Sequence, residues 1–214
     1  MFPRLRTTLL MLCALCALLA GCDDTPQYAA LPPGTSVLAF GDSVTYGTGA
    51  AAAEDFPSRL AVLSRWQVHN HGVPGDTSAG AKARLAAALE ETQPRLVILE
   101  IGGNDFLRRR PEAEVKQNIR SMLLTIKQKG VPVLLVAVPR FSLVGAAVGS
   151  LADAGLYAEL AEEENVSLVP ETFADVLSDP ALKADQIHPN AAGYRQLAEG
   201  IAAVLMETGL LAKR

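Results

Sequence analysis

Serine, histidine, aspartate and asparagine recur in this 214-residue chain at positions where packing gains nothing from them. Gly41-Asp42-Ser43 follows the apolar run 37–40, and Gly102-Gly103-Asn104-Asp105 follows the apolar run 96–101. A serine hydroxyl is a weak nucleophile until a base takes its proton and a third group orients that base. Of the three histidines, His188 has the right neighbour, because Asp185 precedes it by three residues in Asp185-Gln186-Ile187-His188-Pro189-Asn190. One turn of that spacing presents both side chains to the same side, with the acid aligning the ring. Asn190 is placed to cap a helix whose apolar stripe is Tyr194, Leu197, Ile201 and Leu205, and the positive end of that helix favours the neutral imidazole that a general base requires. His69 and His71 flank a strand end and read as packing or surface residues.

Such residues act together only if the fold brings them to one edge. Short apolar runs at 37–40, 66–70, 96–101, 131–138 and 166–169 predict strands, and helical periodicity predicts helices over 56–64, 79–92, 111–129, 152–164 and 190–207. Strand and helix alternate, which implies an α/β fold with a parallel sheet of about five strands covered by helices on both faces. Ligands of such sheets bind beyond the carboxyl ends of the strands. Those positions hold Gly41-Asp42-Ser43, then Gly72-Val73-Pro74-Gly75-Asp76, then Gly102-Gly103-Asn104-Asp105, so three glycine-bearing turns converge on one ligand. Asp42 and Asp105 are expected to bond loop amides.

With these blocks in hand, the chain resembles the SGNH, or GDSL, hydrolase family, and within it the bacterial thioesterase I, lysophospholipase L1 and arylesterase group. Gly41-Asp42-Ser43, Gly75-Asp76-Thr77-Ser78, Gly102-Gly103-Asn104-Asp105 and Asp185-Gln186-Ile187-His188-Pro189-Asn190 match the family's four blocks in order. The resemblance implies a flavodoxin-like three-layer α/β/α sandwich and no metal or organic cofactor. It implies Ser43 as nucleophile, Asp185 and His188 as its triad partners, and the Ser43 backbone, Gly75 and Asn104 as oxyanion donors. Beside these blocks, Phe106 and Leu107 are candidates to wall an acyl pocket, while Arg108, Arg109 and Arg110 read as a solvated loop. The glycine-spaced apolar stretch 141–151, beginning at Phe141, reads equally as a substrate wall or a buried connector.

The chain start carries a different signal. Arg4 and Arg6 precede an apolar stretch, 7–20, too short to span a bilayer as a mature helix, so 1–21 reads as a secretory signal peptide. It ends in Leu19-Ala20-Gly21-Cys22, which resembles the lipobox of bacterial lipoproteins and implies cleavage before Cys22 and lipid on that residue. An ordinary signal peptide cut near Ala20 is the alternative. Residues 22–34, with Pro26, Pro32 and Pro33, read as lipidated cysteine and tether, and 35–214 as the hydrolase domain. The lipoprotein resemblance places the protein at the cell envelope on the periplasmic side of a bacterial membrane, with Asp23 favouring the inner one.

Cys13 and Cys16 leave with the signal and Cys22 takes lipid, so no thiol remains for catalysis or zinc. Removing Arg4 and Arg6 turns 19 basic against 23 acidic residues into 17 against 23, a charge of −6, which argues against nucleic acid. The expected partners are an ester substrate and, through the lipid, a membrane; the expected state is a monomer. The leading function is an acyl hydrolase of the esterase, thioesterase or lysophospholipase type. An acetyl esterase of cell-wall or other polysaccharides, and a non-catalytic binding lipoprotein, are the alternatives.

Overall fold

The computed structural model describes residues 28–140 and 150–213. Five parallel strands form one sheet: β1 (Ser36–Gly41), β2 (Gln67–Gly72), β3 (Val97–Glu100), β4 (Val133–Val136) and β5 (Ser167–Val169), in the order β2-β1-β3-β4-β5. The expected alternation holds. The helices are α1 (Ser43–Tyr46), α2 (Phe56–Ser64), α3 (Ser78–Thr92), α4 (Gly103–Leu107), α5 (Glu112–Gln128), α6 (Leu156–Glu164), α7 (Thr172–Ser178) and α8 (Ala191–Glu207). Helices α3, α5 and α6 pack together, as do α2, α7 and α8, which makes a helical layer on each side of the sheet.

Burial follows position in the sheet. The apolar residues of β1, β3 and β4 are buried because each strand has neighbours on both edges and helices on both faces. β2, with Gln67, His69, Asn70 and His71, is half-exposed because it is an edge strand. The polar sequence of β2 is thus an edge signature, and neither His69 nor His71, which lie on it, is among the described residues lining the cleft that holds the serine.

Several helix starts are set by side-chain caps. Asp55 accepts from the Ser58 amide at 2.8 Å, Thr77 from Gly80, and Asn190 from the amides of Ala192 and Gly193 at 2.9 and 3.1 Å. Tyr194, Leu197, Ile201 and Leu205 are buried, as their spacing in α8 requires. The helix expected over 152–164 begins only at Leu156, and the strand expected over 131–138 narrows to β4.

The signal segment, Cys22 and Phe141 lie outside the described residues. Of the segment read as a tether, 28–34 lies against the domain: Tyr28 and Leu31 donate backbone bonds to the carbonyls of Thr208 and Leu210, both at 2.9 Å. Gly34 donates to the Arg65 carbonyl at 2.8 Å, and the Trp66 indole donates to the Leu31 carbonyl. Among the described residues no helix is long and apolar enough to cross a membrane.

Candidate active site

Gly41 ends β1 where two neighbours crowd it. A Cβ there would lie 2.1 Å from the Glu100 carbonyl oxygen and 2.2 Å from Thr45 Oγ1, so only glycine lets β1 turn out of the sheet beside β3. The chain then enters α1 with Ser43 as its first residue, and Asp42 Oδ1 accepts the Val44 amide at 3.1 Å. The serine is thereby lifted over the carboxyl end of the sheet.

His188 reaches it from the loop before α8. Asp185 Oδ1 accepts the amides of Ile187 and His188, both at 2.8 Å, and its Oδ2 accepts from His188 Nδ1 at 2.8 Å. One carboxylate therefore shapes the turn and orients the ring. With Nδ1 carrying the proton, Nε2 accepts from the Ser43 hydroxyl, 2.9 Å away. Partial burial pulls the Asp185 carboxyl upward, but the bonds from the His188 ring and from the two amides outweigh it and hold the group below its ordinary range.

Asn104 comes from the other side. Gly102 has φ +126°, and a Cβ on it would meet Tyr157 Oη at 2.4 Å, so the turn into α4 needs glycine. Asn104 Nδ2 donates to Asp42 Oδ2 at 3.2 Å. An amide nitrogen has two N–H donors, so one remains for a ligand in the cleft that Asn104 lines. Gly75 has φ +81° and its carbonyl accepts from Arg108 Nη2 at 3.0 Å, which ties its loop to the end of α4; it is not among the described residues lining the cleft. Asp105 accepts the Ser78 amide at 2.7 Å and the Ser78 hydroxyl at 2.9 Å, which binds the second and third blocks together.

The cleft itself encloses about 480 Å³, counting the space open to solvent. Ser43, Asn104 and His188 meet an apolar wall of Leu107, Val138, Leu151, Phe173, Leu177 and Ile187. Leu107, a candidate from the sequence, is one of these lining residues. Phe106 is not in this wall: its ring packs edge-on against Tyr157, centroids 6.5 Å apart, because one turn of α4 turns adjacent side chains to different faces.

Two functional neighbours escape the sequence reading. Arg84, from α3, donates to the carbonyls of Gly41 and His71 and to Asp76 Oδ2 at 2.8 to 2.9 Å, with its guanidinium 4.0 Å over the Phe40 ring. It clamps the ends of β1 and β2 to the Gly75 loop. Glu100 is 1% exposed at the end of β3, accepts from Thr45 Oγ1 at 2.8 Å, and leaves its Oε1 buried with no partner among the described residues. Its one signal in sequence is an acid inside the apolar run Leu96-Val97-Ile98-Leu99-Glu100-Ile101.

Glu100 and Asp42 form a buried acid pair beneath the serine. Burial pushes Asp42 up to about 6, against the bonds from Val44 and Asn104 that lower it. Burial, then the Asp42 charge, push Glu100 well above the usual carboxylate range, so Glu100 is the neutral member. An acid whose folded pKa lies above its unfolded value stabilises the fold while protonated and loses that contribution as pH rises through the folded value. Glu100→Gln keeps the shape and cannot ionise. The melting temperature of the parent should therefore fall relative to that of the variant as pH rises above the ordinary glutamate value of 4.5. Parallel curves in thermal melts across that range would show that Glu100 does not carry the shift.

A hydroxyl on an imidazole on a carboxylate, at the carboxyl edge of a parallel sheet, is the arrangement of a serine hydrolase. Comparison with known proteins narrows that class. The model of the GDSL-like Lipase/Acylhydrolase family matches residues 39–196, and the chain belongs to this family. It is 32% identical over 200 residues to Esterase TesA of Pseudomonas aeruginosa, covering 86% of this chain and 94% of that protein. It is 33% identical over 172 residues to thioesterase 1/protease 1/lysophospholipase L1 of Escherichia coli, covering 78% of this chain and 81% of that protein. The crystal structure of TesA superposes with a TM-score of 0.70 at 32% identity, over 80% of this chain and 98% of that one. The chain is accordingly a serine-dependent acyl hydrolase acting on ester bonds.

Proposed function

We propose that Ser43 is the nucleophile, His188 the general base and acid, and Asp185 the group that orients His188. The observation that carries this reading is the continuous chain from Ser43 Oγ through His188 to Asp185, at 2.9 and 2.8 Å. As Ser43 Oγ attacks the carbonyl carbon of an ester or thioester, its proton passes to His188 Nε2. The tetrahedral oxyanion is met by the Ser43 N–H and by Asn104 Nδ2, and the family resemblance adds the Gly75 N–H, although Gly75 is not among the described residues lining the cleft. Collapse releases the alcohol or thiol with the proton from His188 and leaves the acyl group on Ser43. Water, deprotonated by His188, then attacks the acyl-serine and frees the acid.

The apolar wall of Leu107, Val138, Leu151, Phe173 and Leu177 supports an apolar acyl chain as the preferred substrate part. The enzyme works as a monomer, since one chain supplies every group named. A nitrophenyl ester series from acetate to palmitate, on protein lacking residues 1–22, tests the acyl preference. Rates should rise beyond acetate; activity on acetate alone would turn the reading to a polysaccharide or cell-wall acetyl esterase.

We also propose that residues 1–21 are a signal peptide, that Cys22 carries lipid, and that the domain works at the periplasmic side of a bacterial membrane, with the inner membrane favoured by Asp23. The support is the Leu19-Ala20-Gly21-Cys22 pattern after an apolar stretch. Cys22→Ser should abolish incorporation of a palmitate analogue, and unchanged incorporation would refute the anchor.

A further inference from the structure

We infer that the anchored enzyme stands with the amino-terminal edge of its sheet towards the bilayer and its Ser43 cleft turned away, so that its substrates are esters arriving through water rather than lipids of the bilayer that holds it. The inference rests on the lipid anchor at Cys22 proposed above, and it adds a direction that the anchor alone does not supply.

The point of attachment is set by described residues. Tyr28 is bonded to Thr208, directly after α8, and it borders a groove with Pro132 and Val133 at the start of β4. Leu31 and Gly34 are bonded beside Arg65 and Trp66, at the start of β2. Every partner of this strap therefore lies at the edge where strands begin, whereas Ser43, Asn104 and His188 lie where β1 and β3 end. Helix α8 measures the separation: its cap, Asn190, is two residues from His188, and its 17 residues rise about 25 Å to the end that holds Tyr28.

The sequence between anchor and strap is short. Five residues, 23–27, separate Cys22 from Tyr28, so six Cα steps reach at most about 20 Å when fully extended. A domain of this size has a radius of gyration of about 16 Å and measures about 40 Å across. To lay the cleft on the bilayer, the tether would have to run back along the body at least the length spanned by α8, about 25 Å, which exceeds its reach. Only release of 28–34 would make up the difference, and that would break the four backbone and indole bonds above and uncover Tyr28 and Leu31, which pack on the core.

The mature chain has no free thiol once Cys22 is acylated, so single cysteines report orientation cleanly. Val73→Cys marks the cleft end, since Val73 is 43% exposed and bonded to the Gly41 carbonyl; Lys129→Cys marks the exposed turn before β4. The lipidated variants, dye-labelled and reconstituted in phosphatidylethanolamine and phosphatidylglycerol vesicles with a headgroup-bound acceptor, should show energy transfer several-fold stronger from position 129 than from position 73. Inserting about twenty Gly and Ser residues between Gln27 and Tyr28 should raise transfer at position 73 towards that at 129 and leave hydrolysis of a water-soluble nitrophenyl ester unchanged. Equal transfer from both positions with the native tether would overturn the orientation. Absence of transfer from both, together with a labelled Cys22 thiol, would instead overturn the anchor on which it rests.

Discussion

Ser43→Ala lowers kcat by roughly 10⁶-fold, to the level that oxyanion binding and substrate positioning sustain alone. The size of the loss follows from the hydroxyl being the one atom that forms the covalent bond. His188, at 2.9 Å, then has no proton to take, and water must replace Oγ without the placement that α1 gives the serine. The fold should not notice. Ser43 is half-buried at the start of a single turn whose cap is Asp42, and its side chain has His188 as its bonding partner. Steady-state kinetics with a thermal melt on one preparation check both halves, and a variant that keeps turnover within about tenfold of the parent would remove Ser43 from the chemistry.

Asn104→Ala should lower kcat by roughly 10²- to 10³-fold with little change in KM, because a donor aimed at developing charge contributes in the transition state rather than in the ground state. The bond from Asn104 to Asp42 adds a second signature. Asn104 is one of the two hydrogen-bond donors that restrain the rise of the Asp42 pKa. Its loss lifts Asp42 above about 6, and the variant then loses stability as pH rises through that raised value, beyond any loss in the parent. A residue that only shaped the Gly102 to Asp105 turn would lower the melting temperature at every pH and leave kcat near the parental value in the folded enzyme. The rate and the pH slope of the melt therefore separate the two roles.

The parts of this design that sequence reveals are those set by short-range rules. β1, β3 and β4 are legible because central parallel strands are apolar on both faces, and α8 because Asn190 and the Tyr194, Leu197, Ile201, Leu205 stripe obey cap and period. Ser43, Asn104, Asp185 and His188 are legible as residues because they interrupt or follow those elements. Their meeting is a property of strand order, which puts β1 beside β3. The short helices α1, α4 and α7 are too brief to show a period, and α7 opens after Glu171 at φ 57° with no side-chain cap. Phe173 and Leu177 of α7 therefore join the cleft wall unannounced. Phe106 and Leu107 are adjacent and equally apolar, and only the helix they enter decides that one faces the cleft and the other Tyr157. Arg84 and Glu100 act across the sheet, over sequence separations of 43 and 55 residues to Gly41 and Thr45, where no local pattern reaches.

The central claim is that His188 makes Ser43 the reactive hydroxyl of this chain, and a fluorophosphonate probe followed by peptide mass mapping tests it most directly. The parent should carry one phosphonyl adduct, on Ser43, and His188→Ala should label far more slowly at the same residue. An adduct on any other residue, or labelling of Ser43 at the parental rate without His188, would contradict the account.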